Sequence, residues 1–229
     1  MYDFGDGKNA GMVRPNAPNA NPLRLMTLDR NISEGNAFTG TAFAEVKFLQ
    51  DFKFTFNVGT GVDGRRHTSM NNMYYGQFAT NGGTLYKEHE QKFYVNLQQL
   101  LSYDRTFADV HNLGLLLGHE TYRMNNVSVS GYKTNMFSID NLELGGAVID
   151  GQQAASSRSE YNNEGYFFRA QYDYADRIFL SGSYRLDASS RFHKDRRWGS
   201  FWSFGAGWLI NHESWFNAYW VDMLKLKAS

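Results

Sequence analysis

A glycine pattern is the first feature of this 229-residue sequence that could carry chemistry. Gly59, Gly61 and Gly64, within GTGVDG, match the spacing G-x-G-x-x-G, which places a dinucleotide phosphate at a helix N-terminus. That use requires a helix directly after the last glycine, and the residues that follow, RRHTSMNNMYY, show no helical amphipathic period. We therefore interpret these glycines as part of the end of a strand.

The other reactive residue types are scattered. None of the six histidines has the H-x-H or H-E-x-x-H spacing of a metal site, and no G-x-S-x-G nucleophile motif is present. The absence of cysteine excludes a thiol nucleophile and thiolate metal ligands. The tripeptide DFG at Asp3–Gly5 lacks the other motifs of a protein kinase. We expect no catalytic residue, no metal site and no cofactor, and we predict that the chain is not an enzyme.

A basic cluster in the last third could bind phosphate groups. The stretch RFHKDRR is followed at once by WGSFWSFGAGW, in which aromatic residues recur at alternate positions. Lys+Arg and Asp+Glu both number 23, whereas proteins that bind nucleic acid electrostatically are usually strongly basic. We therefore expect no nucleic-acid partner, and we predict a strand preceded by a polar loop. Its exposed cations would be Arg191, Lys194, Arg196 and Arg197.

The dominant pattern along the chain is the alternation of apolar or small residues with polar ones. This pattern is typical of β-strands that have one apolar and one polar face. It begins at Phe38–Phe48 and restarts at Phe52 after a gap of three residues, which predicts a β-hairpin. About eight strands are predicted in all, each close to the roughly ten residues of a tilted membrane-spanning strand. The later ones include Phe93–Tyr103, Leu113–Leu117, Phe168–Tyr174, Ile178–Leu186, Trp202–Ile210 and a last strand that starts at Leu224.

Short and long connections alternate between these strands. The connections after the second, fourth and sixth strands are long, at about Asp63–Gln91, Met124–Glu160 and Ala188–Trp198. Residues 1–35 are predicted to be irregular, and a short helix near Ser138–Leu144, ended by Gly145, is compatible with the fourth connection. Outer-membrane barrels have this arrangement, with tight periplasmic turns and long extracellular loops, so the basic cluster is predicted to lie in an extracellular loop.

A soluble β-sandwich would also show alternation, because one face of each of its sheets is buried. The strand length, the aromatic content of 16% and the alternating connections favour the membrane. We predict an all-β, antiparallel up-and-down transmembrane β-barrel segment. In it, Arg185 and Asp187 would face the lumen, because a charge at the midplane of the lipid face costs about 2–4 kcal/mol. Trp202, Phe204 and Trp208 would face lipid.

The last third resembles the C-terminal barrel of the SusC/RagA class of TonB-linked outer-membrane proteins of Bacteroidetes. The resemblance lies in YADRIFLSGSYRLDASSRF and RRWGSFWSFGAGWLINHESWF, within Tyr174–Phe216. The family's pattern has a strand ending in R-x-D-G-S-S-R-F, a polar loop and then R-W-G-x-F-P-S. Ala188 and Trp202 stand where the family usually has glycine and proline. The stretches NPL and HNLGLLLGHE, earlier in the chain, also fit the family.

The resemblance implies a barrel of about 22 strands, an N-terminal plug, a TonB box and energised import of oligosaccharides or peptides. It also implies three partners: outer-membrane lipids, a SusD-like lipoprotein and the TonB complex. We expect residues 1–229 to be a partial barrel domain without the plug, and a fragment of a transporter in the bacterial outer membrane. Two alternatives stay open: a self-contained small outer-membrane barrel that acts as an anchor or adhesin, and a soluble carbohydrate-binding β-sandwich.

Overall fold

The computed structural model describes residues 22–150 and 154–229. One α-helix, α1 (Pro22–Leu28), precedes the strands. Short 3₁₀ turns lie at Ala79–Asn81, Leu144–Gly146, Lys194–Arg196 and Ile210–His212. No helix in the described ranges is long and apolar enough to cross a membrane. The strands are β1 (Arg30–Phe48), β2 (Phe52–Asn71), β3 (Thr84–Phe107), β4 (His111–Met136), β5 (Ala147–Asp150), β6 (Ala155–Tyr174), β7 (Ile178–Ser189), β8 (Trp198–Leu209) and β9 (Lys225–Ala228).

The strands form a single sheet in which neighbours in the chain are neighbours in space. The order is β1-β2-β3-β4-β6-β7-β8-β9, and β5 pairs separately with β4. The pairings of β6 with β7, β7 with β8 and β8 with β9 are antiparallel. The predicted all-β, up-and-down architecture is therefore confirmed, with the four-residue β5 as an additional strand that the sequence pattern did not indicate.

Three tight turns connect β1 to β2, β3 to β4 and β6 to β7. Each contains two successive non-glycine residues with positive φ, which is the conformation of a type I′ hairpin turn. This turn type matches the right-handed twist of paired strands, so these turns fix the register without glycine. The residues are Leu49 and Gln50, Ala108 and Asp109, and Ala175 and Asp176.

Most strands are about twice as long as the sequence pattern predicted. β1, β2 and β6 contain 19, 20 and 20 residues, and β3 and β4 contain 24 and 26. Alternation marks a strand only where its two faces differ in polarity, and the added lengths are polar on both faces, as in KEHEQK at the start of β3. The predicted loops Asp63–Gln91 and Met124–Glu160 are consequently wrong over much of their length.

Two smaller predictions about irregular segments are also wrong. Residues 22–28 are helical and β1 begins at Arg30, whereas residues 1–21 lie outside the described part of the chain. The helix allowed at Ser138–Leu144 does not form. There the Ser138 hydroxyl accepts a hydrogen bond from the backbone N–H of Asp140, and the Asn141 side chain accepts one from Glu143, at 3.1 Å each. Such local side-chain acceptors compete with helical backbone bonding.

The chain divides into two compact units. The first comprises residues up to Phe38, Val62–Phe93 and Asn125–Ser159, and the second comprises Thr39–Gly61, Tyr94–Met124 and Glu160–Ser229. The first unit has a small buried core, onto which Met73, Ile139, Leu142 and Leu144 pack. This core orders residues that the sequence assigned to long loops. Its members are Met70, Leu85, Met136 and Ala147.

In the second unit, two aromatic rings lie flat on glycines of a neighbouring strand. The Phe167 ring of β6 covers Gly118 of β4, and the Tyr94 ring of β3 covers Gly61 of β2. A Cβ atom at either glycine would overlap the ring. Covering an interior glycine with an aromatic side chain restores packing that the missing side chain would have supplied.

We predict that Gly118→Ala lowers the free energy of unfolding by about 1–3 kcal/mol, because the methyl group would displace the Phe167 ring. The matched control is Gly145→Ala. A Cβ at Gly145 would meet no atom within 4 Å, so a change below about 0.5 kcal/mol is expected. Urea unfolding of the protein in detergent micelles measures both values, and equal losses would contradict the close packing at Gly118.

Candidate functional site

The register of β6, β7 and β8 separates two faces of different chemistry. Arg185 of β7 pairs with Phe167 and Phe201, and Tyr184 pairs with Phe168 and Trp202. Odd-numbered residues of these strands therefore share one face, and even-numbered residues share the other. We call the first the polar face; it carries Arg169, Gln171, Asp173, Ser181, Ser183, Arg185, Asp187 and Ser203. We call the second the apolar face; it carries Tyr166, Phe168, Tyr172, Leu180, Tyr184, Leu186, Trp202, Phe204 and Trp208.

The polar face holds an ordered charge cluster around Arg185. Its Nε lies 2.8 Å from each carboxylate oxygen of Asp187, and one terminal nitrogen lies 3.5 Å from Glu120 of β4. The guanidinium also lies over the Phe167 ring, 5.3 Å from its centroid. Gly165 leaves the space that Asp187 needs, because a Cβ there would be 2.6 Å from its Oδ1. The two residues predicted from the sequence are thus brought together, and Glu120 is the partner that sequence reasoning missed.

Three tyrosines form a second feature, which we call the tyrosine row: Tyr94, Tyr122 and Tyr161, on β3, β4 and β6. The ring centroids of Tyr94 and Tyr122 are 6.2 Å apart, and those of Tyr122 and Tyr161 are 6.0 Å apart. The Arg191 guanidinium lies over the Tyr161 ring, 5.0 Å from its centroid. Tyr161 shares the odd-numbered face of β6 with Gly165 and Phe167, so the row continues the polar face. Sequence reasoning did not identify this row, because Tyr161 belongs to a length of strand with little alternation.

Near the tight turns, the polar face opens into a cavity of about 1030 Å³. Its lining mixes both signs of charge. Arg105 donates to Asp51 at 3.2 Å, and the Asn112 amide donates to Asp173 at 2.9 Å. The Lys225 ammonium lies 4.0 Å from the centroid of the Phe179 ring. The lining includes three Asp side chains and three Lys or Arg side chains, so the cavity lacks the excess charge of a dedicated ion site.

The apolar face exposes large side chains. The exposed fractions of Trp202, Phe204 and Trp208 are 79%, 59% and 36%, and Tyr184 and Phe168 are also exposed. Soluble monomers rarely expose apolar patches of this extent. The Trp208 indole N–H donates to Glu213 at 2.9 Å, so its polar group is satisfied at the edge of the sheet. The face is therefore suited to an apolar surrounding.

One polar group interrupts the apolar face. Gln99, the residue that broke the alternation of the third predicted strand, has its Oε1 2.7 Å from His119 Nδ1. The other His119 nitrogen lies 3.3 Å from Glu164, which accepts a 2.7 Å hydrogen bond from the Tyr166 hydroxyl. The His119 and Tyr166 rings also stack, with centroids 4.6 Å apart. Each polar side chain of the group thus has a partner.

The basic cluster lies in the connection between β7 and β8, as the sequence predicted. Lys194 and Arg196 belong to a 3₁₀ turn and are exposed, as is Arg191. Arg197 is half-buried, and its Nε donates to the Phe192 carbonyl at 3.1 Å. Within the described ranges, no three His, Asp or Glu side chains are arranged to hold a metal ion.

Curated proteins with similar sequences are TonB-dependent receptors. The chain is 28% identical over 208 residues to the TonB-dependent receptor SusC of Bacteroides thetaiotaomicron, covering 87% of this chain and 19% of the receptor. It is 25% identical over 241 residues to TonB-dependent receptor P39 of Formosa agariphila, covering 100% of this chain and 22% of the receptor. The chain thus spans about a fifth of the length of these relatives. No family model matches the sequence.

Solved structures with a similar fold are those of the RagAB peptide transporter. One superposes with a TM-score of 0.83 at 18% identity, covering 93% of this chain and 24% of that chain. Another, in the closed-closed state, gives a TM-score of 0.81 at 19% identity, covering 90% and 23%. The chain therefore has the all-β, up-and-down fold of an outer-membrane β-barrel wall. In sequence and in fold, the chain is thus similar to SusC-type TonB-dependent receptors and to the RagAB transporter.

We predict a modest coupling energy between Arg185 and Asp187, about 0.2–1 kcal/mol, because the two side chains are 44% and 37% exposed. A double-mutant cycle with Arg185→Ala and Asp187→Ala, followed by urea unfolding, measures this value. The pair Lys53 and Glu45, 3.7 Å apart, is a reference exposed ion pair for the same cycle. A coupling above about 3 kcal/mol would show that the cluster behaves as a buried ion pair.

Proposed function

We propose that this chain forms part of the barrel wall of a TonB-dependent transporter, which imports oligosaccharides or peptides across the bacterial outer membrane. The observation that carries this proposal is the difference between the two faces of one continuous sheet. One face exposes tryptophan and phenylalanine side chains, and the other carries charged and hydroxyl groups. Outer-membrane barrels that conduct polar solutes need a lipid-compatible exterior and a polar interior.

The apolar face then contacts lipid through Trp202, Phe204 and Trp208, and the polar face lines the lumen, with Arg185 and Asp187 in contact with water. The loop between β7 and β8 lies on the extracellular side. There the cations Arg191, Lys194, Arg196 and Arg197 contact lipopolysaccharide phosphates or neighbouring loops. A charge cluster such as that of Arg185 is tolerated in a wet lumen, whereas the same charges on the lipid face would be costly.

The partners of the complete protein are, in this proposal, outer-membrane lipids, a SusD-like lipoprotein and the TonB complex. The similarity of this chain to the TonB-dependent receptor SusC and to the RagAB transporter supports these assignments. The named relatives are receptors and a peptide importer, which supports a transport role without catalysis. The neutral balance of charge argues against nucleic acid as a partner.

The two alternatives, a soluble β-sandwich and a small closed barrel, fit the observed sheet less well than the wall of a larger barrel does. A sandwich needs a second sheet over the apolar face, and the described strands form a single sheet that leaves this face exposed. A small closed barrel needs its first and last strands to pair with each other, whereas β1 and β9 lie at opposite ends of the strand order.

The orientation of the faces is tested by two substitutions at adjacent positions of β8. Phe204→Arg places a charge on the apolar face, so it should destabilise the folded protein in lipid bilayers by about 2–4 kcal/mol. Ser203→Arg places the same charge on the polar face and should cost less than about 1 kcal/mol. Unfolding from bilayers measures both. A larger loss for Ser203→Arg would reverse the assignment of lumen and lipid.

Transport itself is tested in cells that lack the full-length receptor. We expect the loss of uptake of one class of polymer-derived nutrient, measured with labelled digests of polysaccharide and of protein. A copy of the receptor gene should restore uptake only when TonB is functional. Normal uptake of every digest in the deletion strain would contradict the proposed function.

A further inference from the structure

Two rings of the tyrosine row, those of Tyr94 and Tyr122, form a flat aromatic surface on the polar face of the sheet. One face of the Tyr94 ring rests on Gly61, where the missing Cβ allows close approach, so the opposite ring face points away from the sheet. The Tyr94 hydroxyl lies 3.3 Å from the Thr39 hydroxyl, which fixes the position of the ring. The plane of the Tyr122 ring is inclined by only 30° to that of Tyr94. The two rings therefore form neighbouring parts of one surface.

The third tyrosine, Tyr161, lies beside this aromatic surface together with Arg191. The Tyr161 ring makes an interplanar angle of 61° with Tyr122, in an edge-on arrangement. The Arg191 guanidinium covers the Tyr161 ring, and a cation in this position is attracted by the electrons of the ring. Stacking leaves the N–H groups at the rim of the guanidinium free to point outward as hydrogen-bond donors. Together these groups form a concave site, with the ring faces of Tyr94 and Tyr122 at its base and the planar guanidinium of Arg191 at its side.

The position of the row in the sheet restricts what it could bind. The three tyrosines lie on β3, β4 and β6, which are interior strands with a neighbour on each side. The backbone groups of such strands are used in the sheet, so an extended peptide cannot add to them as a further strand. A ligand must therefore be held by side chains alone, through ring faces, tyrosine hydroxyls and arginine donors.

A sugar ring matches these groups. One side of a pyranose presents C–H groups that pack on an aromatic face, and its rim carries hydroxyls that accept and donate hydrogen bonds. Tyrosine offers the same combination of an apolar face and a polar edge. We propose that Tyr94, Tyr122, Tyr161 and Arg191 form a contact site for the sugar rings of an oligosaccharide. This inference rests on the proposed transport function and chooses oligosaccharide over peptide for this chain.

The test uses the full-length receptor in detergent and titrates two sets of fluorescent probes. One set is labelled hexasaccharides from starch, xylan, mannan and cellulose, and the other is labelled tryptic peptides of casein. We expect at least one hexasaccharide to bind, and Tyr122→Leu to weaken its binding roughly 3- to 10-fold through the loss of the aromatic face. Tyr122→Phe, which keeps the ring, should stay within about twofold.

Two further variants separate binding from folding. Tyr184→Ala removes a tyrosine from the apolar face and should leave hexasaccharide affinity unchanged. Arg191→Ala, in the exposed loop, should weaken binding without affecting the heat-modifiable migration that folded barrels show on gels. If Tyr122→Leu does not fold, Arg191→Ala decides the question, and wild-type affinity in that variant overturns the site.

Three other results of the binding experiment would count against the sugar-contact site. Binding of casein peptides with no hexasaccharide bound by the wild-type receptor overturns the inference, whereas the proposed import function would stand. Equal affinity of the wild-type and Tyr122→Leu proteins overturns the site as well. Failure of every probe to bind counts against the inference, and TonB-dependent uptake in cells then reports separately on transport.

Discussion

The requirement that backbone N–H and C=O groups be paired within the protein underlies every other feature of this structure. In the hydrocarbon of a membrane an unpaired backbone group costs several kcal/mol, so strands cross it only within a continuous hydrogen-bonded sheet. The up-and-down order from β1 to β9 provides this continuity, since every strand apart from the short β5 pairs with the strands before and after it in this order. Type I′ turns at three of the connections, β1 to β2, β3 to β4 and β6 to β7, keep the pairing of those strands in register.

Once the backbone is paired, the side chains alone distinguish the two sides of the sheet. Alternation puts Trp202 and Phe204 on one side and Arg185 and Asp187 on the other. Glycine on one strand leaves space for an aromatic ring from the neighbouring strand, as Gly118 does for Phe167. The Arg185 cluster and the tyrosine row both use these glycines, because Arg185 lies over the Phe167 ring and Tyr94 covers Gly61.

The sequence predicted the parts of the fold in which the two faces differ strongly. The hairpin around Leu49 and Gln50 and the strand at Ile178–Leu186 are confirmed because their apolar residues alternate with polar ones. The prediction failed where the contrast between faces vanished, as in the first half of β3. It also failed at Ser138–Leu144, where side-chain acceptors bond the backbone in place of a helix. The short β5 has too few residues to show any period.

The sequence by itself determined the class of the protein, the faces of its central strands and the position of the basic loop, because these follow from local periodicity and composition. Only the tertiary structure decided which residues act together. Glu120 approaches Arg185 across β4, β6 and β7, and Tyr94, Tyr122 and Tyr161 meet although they are far apart in sequence. Such contacts depend on strand register, and the turns and the pairing of whole strands set that register.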